Sequence, residues 1–340
     1  MSALYRVAVL GGGSFGTALC NMIADKGHHA TLWLRNQQRA DEINAEHKNS
    51  RYLPDLVLNE NVQATTELSA AVKDIDMVFV AVPSHSCRVV CLELARFISA
   101  DTMVISTTKG IENPDFKLMS QVITEALPNN PLGVLSGPNL AKEIAAKQIT
   151  ATVIASEHSD LIERVQEALH SGYFRVYGSQ DVFGVELSGA LKNIYAIIAG
   201  LGAAMELGDN TKAMLMTRSL AEMSRFAVSM GANPMTFLGL AGIGDLLVTC
   251  SSALSRNYQV GYAIGSGKTL EQAAEALGQV AEGVNTLKVV TEKAAELDVY
   301  MPLAQGLSQI LFEQVSVADM VTQLMLSEQS EDVEFTLGAN

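Results

Sequence analysis

Lys192 stands inside the stretch 185–202, VELSGALKNIYAIIAGLG, where nearly every other position is apolar or small. The spacing predicts a helix, and a helix apolar on all sides belongs in a core. A lysine is seldom fully buried without a partner, and burial lowers its pKa toward the range of proton transfer. Lys192 is therefore a candidate acid–base group; the competing reading is a structural lysine that snorkels its ammonium to a surface. Lys109 follows the apolar run 102–106, at what would be the carboxyl end of a buried strand. Asp245 is the only charge between Arg225 and Arg256, so it is either a partner for a buried lysine or a helix N-cap. Ser255-Arg256-Asn257 opens the helical run YQVGYAIG. It suits either a phosphate held at a helix start by a forked guanidinium, or an ordinary surface cap.

These side chains need elements to hold them. Residues 6–10, RVAVL, read as a buried strand, and Gly11-Gly12-Gly13-Ser14-Phe15-Gly16 follows at once, before a helical run closed by Gly27. Strand, G-x-G-x-x-G, helix is the dinucleotide fingerprint in its required context. Gly11 allows the tight turn, Gly13 lets the backbone approach a pyrophosphate, and Gly16 lets helix and strand pack closely. The alternative is a tight turn with no ligand. The second strand, 29–34, ends at Arg35 rather than at the acidic residue that would bind a ribose 2′-hydroxyl. A cation there suits the 2′-phosphate of NADP, so NADP is the expected preferred cofactor, with NAD accepted. An exposed surface arginine is the plain alternative.

Further strands are expected at 76–82, 102–106, 132–135, 150–155 and 174–177. The strand–helix rhythm stops near 180 and helical spacing continues to 326. The expected fold is α/β: a Rossmann-like, mostly parallel sheet over 1–180, an all-α substrate domain over 181–327, and a loose acidic tail over 328–340. The boundary helix would join the two domains.

Composition narrows the function. With 23 Lys+Arg against 37 Asp+Glu the net charge is −14, which argues against nucleic-acid binding. The glycines break 7–24 as a signal sequence, and 193–205 is uncharged but too short to span a bilayer, so no integral membrane association is expected. Four cysteines suit a reduced, cytoplasmic protein, and no metal-ligand constellation occurs.

The motifs GGGSFGTA (11–18), LWLRN (32–36), YLPD (52–55), VPSH (82–85), TTKG (107–110), SGPNLAKE (136–143), ELSGALKN (186–193), GDN (208–210) and GIGDLLVTCSSALSRN (242–257) stand in one order along the chain. In this the chain resembles the NAD(P)-dependent glycerol-3-phosphate dehydrogenases of the bacterial biosynthetic type. The resemblance implies reversible reduction of dihydroxyacetone phosphate to sn-glycerol 3-phosphate, feeding glycerophospholipid synthesis, and a homodimer, which the apolar stripes of the helical half also suit. It places Ser14, Phe15, Arg35, Lys109, Ala141, Arg256, Val280 and Glu282 at the cofactor. It places Lys109, Gly137, Asn139, Lys192, Asp245, Ser255, Arg256 and Asn257 at the substrate, with Lys192 moving the proton. Asn139-Leu140 departs from the family's Ser or Thr, often followed by an aromatic. A 3-hydroxyacid or ketopantoate-type dehydrogenase and a non-catalytic dinucleotide sensor are the other readings. The first would bind a carboxylate in place of the phosphate, and the second has no need of a lysine in an apolar helix.

Overall fold

The computed structural model describes residues 4–277 and 281–326. Val280 and the tail from 328 lie outside the described residues. The chain divides into two compact units, 1–189 and 190–340.

The first unit alternates strands with helices: β1 (Arg6–Leu10), α1 (Ser14–Asp25), β2 (His29–Trp33), α2 (Gln37–Glu46), β3 (Val62–Thr65), α3 (Leu68–Ala71), β4 (Met77–Val80), α4 (Ser84–Leu94) and β5 (Met103–Ser106). A two-residue hairpin follows, β6 (Ile111–Glu112) with β7 (Lys117–Leu118), then α5 (Met119–Ala126), β8 (Leu132–Ser136), α6 (Ala141–Ala145), β9 (Thr150–Ser156), α7 (Ser159–Leu169) and β10 (Phe174–Ser179). The main sheet runs β10-β9-β8-β5-β4-β1-β2-β3. Every neighbouring pair is parallel except β8 with β9. The six strands from β3 to β8 have the doubly wound dinucleotide-binding order, which reverses direction between β1 and β4 and opens a ligand crevice at their carboxyl ends.

Strand periodicity builds both layers. Val7, Val9, Met77 and Phe79 point to one side and pack with Leu19 and Ile23 of α1. Ala8, Leu10, Val78 and Val80 point to the other and pack with Val90 and Leu94 of α4. Apart from Ala8, each such side chain contributes about 1.5–3 kcal/mol by burial. Two elements were not legible in the pattern. β3 is a short edge strand with exposed Gln63, and the hairpin strands are too short to show a period.

Helix α8 (Val182–Ala204) crosses the division between the units at Gly189. The sequence places the domain boundary at 180, but the first turns of α8 belong to the sheet unit. Glu186 of α8, fully buried, accepts the Ser120 N–H at 2.8 Å and so caps α5, whose own N-cap residue Leu118 has no side-chain oxygen. At 23 residues α8 is also long and apolar enough to cross a membrane by length and composition, unlike the shorter uncharged run within it. It is core instead: 78% of its most apolar window is buried in the protein, and it carries both Glu186 and Lys192.

The second unit is helical. After α8 come α9 (Asp209–Ser229), a single 3-10 turn (Pro234–Leu238), a π turn (Leu240–Gly244), α10 (Asp245–Ser251), α11 (Arg256–Gly265) and α12 (Leu270–Leu277). They are followed by α13 (Glu282–Glu296), α14 (Pro302–Phe312) and α15 (Val317–Leu326).

Candidate active site

In the sheet unit, Gly11 has φ +128° and a Cβ there would run into the Ala81 carbonyl; a Cβ on Gly16 would run into the Gly11 carbonyl. The turn therefore has the close strand–helix contact that the glycine spacing implies. Gly13 differs, since a Cβ there would meet nothing within 4 Å. It is the N-cap residue of α1 and, as a glycine, has no side chain with which to cap that helix. An open backbone at an uncapped helix start, with N–H groups directed outward, is the arrangement that holds a pyrophosphate. Asn49, missed in the sequence, fastens the turn: buried, it donates to the Gly12 carbonyl at 3.1 Å and to Thr17 Oγ1 at 2.9 Å. Ser14 Oγ donates to the Tyr52 carbonyl at 3.3 Å. Phe15 and Ala141 are partly buried and pack against the core.

Arg35 is exposed just beyond β2, while Asn36 is committed to capping α2 through the Arg39 N–H at 2.9 Å. The guanidinium groups of Arg39 and Arg51 lie 5.2 and 5.9 Å from the Tyr52 ring centroid. Arg35, exposed just beyond the end of β2, is a group that could take an extra phosphate on a dinucleotide.

The carboxyl ends of the central strands are tied down by hydroxyls. Thr108 Oγ1 donates toward the Val80 and Val82 carbonyls at 3.2 and 2.9 Å, and Thr107 Oγ1 to Val80 at 3.0 Å. Lys109 follows, half-buried, its Cε 3.7 Å from where a Cβ on Gly189 would stand. Beyond β8, Gly137 has φ +143° and sits against Thr152, and Asn139 Nδ2 donates to Thr152 Oγ1 at 2.9 Å. Asn139 Oδ1 and Ser136 Oγ are buried with no hydrogen-bond partner among the described residues. Asn139 therefore has a polar atom to offer a ligand.

In the helical unit, the Lys192 ammonium donates to Asp245 Oδ1 and, at 2.7 Å, to Thr249 Oγ1. Both charged side chains are buried. Asp245 is the first residue of α10, and Thr249 stands one turn later on the same helix face. Thr249 was not singled out in the sequence; its i+4 spacing from Asp245 is the signal that would have found it. An ion pair this buried loses hydration on both sides, and removing one partner strands the other at a cost of about 3–5 kcal/mol. The snorkelling reading of Lys192 does not hold, because the ammonium is turned inward onto a carboxylate.

The Ser-Arg-Asn segment separates into different environments. Ser255 caps α11 by accepting the Tyr258 N–H at 3.3 Å. Asn257 is buried, donating to Asn193 Oδ1 at 2.9 Å and accepting the Gly283 N–H at 2.9 Å. Arg256, at the first position of the helix, is exposed. Glu282 opens α13, half-buried.

Residues 6–162 match the N-terminal profile, and residues 181–322 the C-terminal profile, of the NAD-dependent glycerol-3-phosphate dehydrogenases. The chain belongs to this family. Glycerol-3-phosphate dehydrogenase [NAD(P)+] of Acinetobacter baylyi is 56% identical over 98% of this chain and 93% of its own length. The same-named protein of Teredinibacter turnerae is 54% identical over 99% of each. The crystal structure of the Coxiella burnetii glycerol-3-phosphate dehydrogenase superposes with a TM-score of 0.90 at 37% identity, covering 95% of this chain and 99% of that one. A ketopantoate reductase from Ralstonia eutropha, at 18% identity and a TM-score of 0.59, shares the fold alone.

Proposed function

We propose that the protein is a glycerol-3-phosphate dehydrogenase that uses NADP and NAD, reducing dihydroxyacetone phosphate reversibly to sn-glycerol 3-phosphate for glycerophospholipid synthesis. The observation that carries this reading is the buried Lys192–Asp245–Thr249 cluster in a chain of this family. The hydride for the ketone carbon is what NAD(P)H supplies when bound. As negative charge develops on the ketone oxygen, Lys192 donates a proton to it, and in the reverse direction Lys192 accepts the proton from the alcohol. Asp245 and Thr249 orient the ammonium. Lys109 polarises the carbonyl, and Gly137 and Asn139 line the substrate side. Arg256, exposed at the α11 N-terminus that Ser255 caps and Asn257 anchors, grips the phosphate; that distant grip helps fix the carbonyl for attack. Gly11, Gly13, Ser14, Phe15 and Gly16 hold the pyrophosphate side of the cofactor, with Ala141, Val280 and Glu282 as further contacts. Arg35 sets a preference for NADP over NAD.

In this reading the sheet unit is the dinucleotide-binding domain and the helical unit the substrate domain. The exposed apolar side chains Met235, Leu238, Leu247 and Leu254 support a homodimer formed through the helical unit. The four cysteines, buried and unpaired, support a reduced, cytoplasmic location. The test is NADPH oxidation with dihydroxyacetone phosphate, with ketopantoate run beside it. A rate with the first and none with the second is expected. The reverse pattern would reject the reading, and sedimentation analysis would decide the dimer.

A further inference from the structure

Glu222 of α9 is 2% exposed and stands apart from the residues assigned to substrate or cofactor. Its position follows from the start of α14. Pro302 occupies the first helical position and has no N–H, and the N-cap residue Met301 has no side-chain oxygen to accept one. The next two backbone donors, Leu303 and Ala304, would be orphans. They donate instead to Glu222, at 2.6 Å to Oε1 and 3.2 Å to Oε2. A serine or aspartate at the N-cap would satisfy the same groups locally. The carboxylate from α9 does something a local cap would not, because its Oε2 also accepts the Tyr195 hydroxyl at 3.1 Å.

Tyr195 is fully buried on α8, three residues after Lys192 and so on a neighbouring part of the helix surface. Asn193, beside Lys192, is held by Asn257, which in turn holds the first turn of α13. Two buried polar ties therefore flank Lys192, one to α11 and α13, the other through Glu222 to α9 and α14. Apolar packing of α8 resists withdrawal of the helix but sets its rotation less sharply than directional hydrogen bonds do. Side-chain tips lie about 5–6 Å from a helix axis, so a rotation of about 10° displaces them by about 1 Å. A misplacement of that size at a reacting group costs up to ~10²-fold in rate.

We infer that Tyr195 and Glu222 are positioning residues for the reaction: their buried hydrogen bond holds α8 at the rotation that keeps the Lys192 ammonium on Asp245 and Thr249. This rests on the reading of Lys192 as the proton donor.

Tyr195→Phe separates positioning from capping, since it removes only the hydroxyl and leaves Glu222 on the α14 donors. Steady-state NADPH oxidation with dihydroxyacetone phosphate, and thermal unfolding, are measured for Tyr195→Phe, Glu222→Gln and Lys192→Ala. Tyr195→Phe is expected to lower kcat about tenfold, with KM for both substrates changed less than about twofold. Glu222→Gln loses at least as much kcat and also unfolds at lower temperature, because its amide turns a donor toward donors; it carries the kinetic test by itself if Tyr195→Phe does not fold. Wild-type kcat in the folded variants beside an inactive Lys192→Ala overturns the inference while sparing the proton-donor reading. Near-normal turnover in Lys192→Ala overturns both.

Discussion

The glycine turn after β1 and the lysine cluster of the helical unit are built on opposite principles. The turn works by absence. Gly11 and Gly16 are needed because backbone atoms stand where a Cβ would be, and at Gly13 the space is open, which in the proposed reading leaves room for the pyrophosphate. In the proposed reading its binding groups are main-chain N–H donors at a helix start whose N-cap residue, a glycine, has no side chain to cap them. The lysine cluster works by pairing: an ammonium, a carboxylate and a hydroxyl, all buried, each contributed at a particular helical position. A site made of backbone tolerates loss of a neighbouring side chain and fails when one is added. A site made of paired side chains fails when one is removed.

The sharpest way to break this contrast is to add atoms to the turn. Gly16→Val drives two methyl groups toward the Gly11 carbonyl, and NADPH affinity by fluorescence titration is expected to fall more than about 10²-fold, a loss above about 2.7 kcal/mol. Retained affinity would show that the close contact is not required.

Removing one charge of the pair comes next. Asp245→Asn leaves the Lys192 ammonium buried without its carboxylate, so stability is expected to fall by about 3–5 kcal/mol in urea unfolding, and kcat by about 10–10²-fold. If both stay near wild type, the pair is not what orients the lysine.

Arg35→Ala tests the exposed end of the nucleotide site. A charge-assisted hydrogen bond is worth about 1.5–3 kcal/mol, so NADPH affinity should drop about ten- to a hundredfold while NADH affinity stays unchanged. Equal losses for both cofactors would remove Arg35 from 2′-phosphate recognition.

A pH dependence rather than a loss of binding concerns Glu186, whose carboxyl is pushed by burial from its usual 4.5 up to about 7, against the pull of the Ser120 and Met119 N–H groups. Between those two values the unfolded chain has already released the proton that the native state keeps. The native state therefore binds more protons, and stability, complete below about pH 4.5, declines as pH rises to about 7. The whole shift corresponds to about 3 kcal/mol. Glu222, pushed up to about 7 by burial in the same way, adds to the decline. Glu186→Gln should lessen the slope of the urea midpoint against pH across this window, leaving the part due to Glu222, and an unchanged slope would refute the assignment.

The two regions also differ in how they are written in the chain. The turn is contiguous, so β1, Gly11 to Gly16 and α1 are legible as one signal, and Arg35 follows at the end of the next strand. The lysine cluster joins positions 53 and 57 residues apart, and pattern alone supplies only the oddity of a charge in an apolar helix. Asp245 showed itself because its surroundings are uncharged; Thr249, an ordinary residue for a helix face, did not. Asn49, Glu186 and Glu222 were invisible for a related reason. Each caps or fastens backbone far away in sequence, and nothing in the local spacing marks such a group. The Ser-Arg-Asn segment shows the limit from the other side. Its residues are adjacent, yet Asn257 is turned inward to Asn193 and Gly283 while Arg256 is exposed.

The central claim is that Lys192 moves the proton. The most direct measurement is the kcat of Lys192→Ala for NADPH oxidation with dihydroxyacetone phosphate, alongside its NADPH dissociation constant. The account predicts a kcat lower by ~10²–10⁴ with cofactor affinity within about twofold of wild type. Turnover near that of the wild type would contradict it.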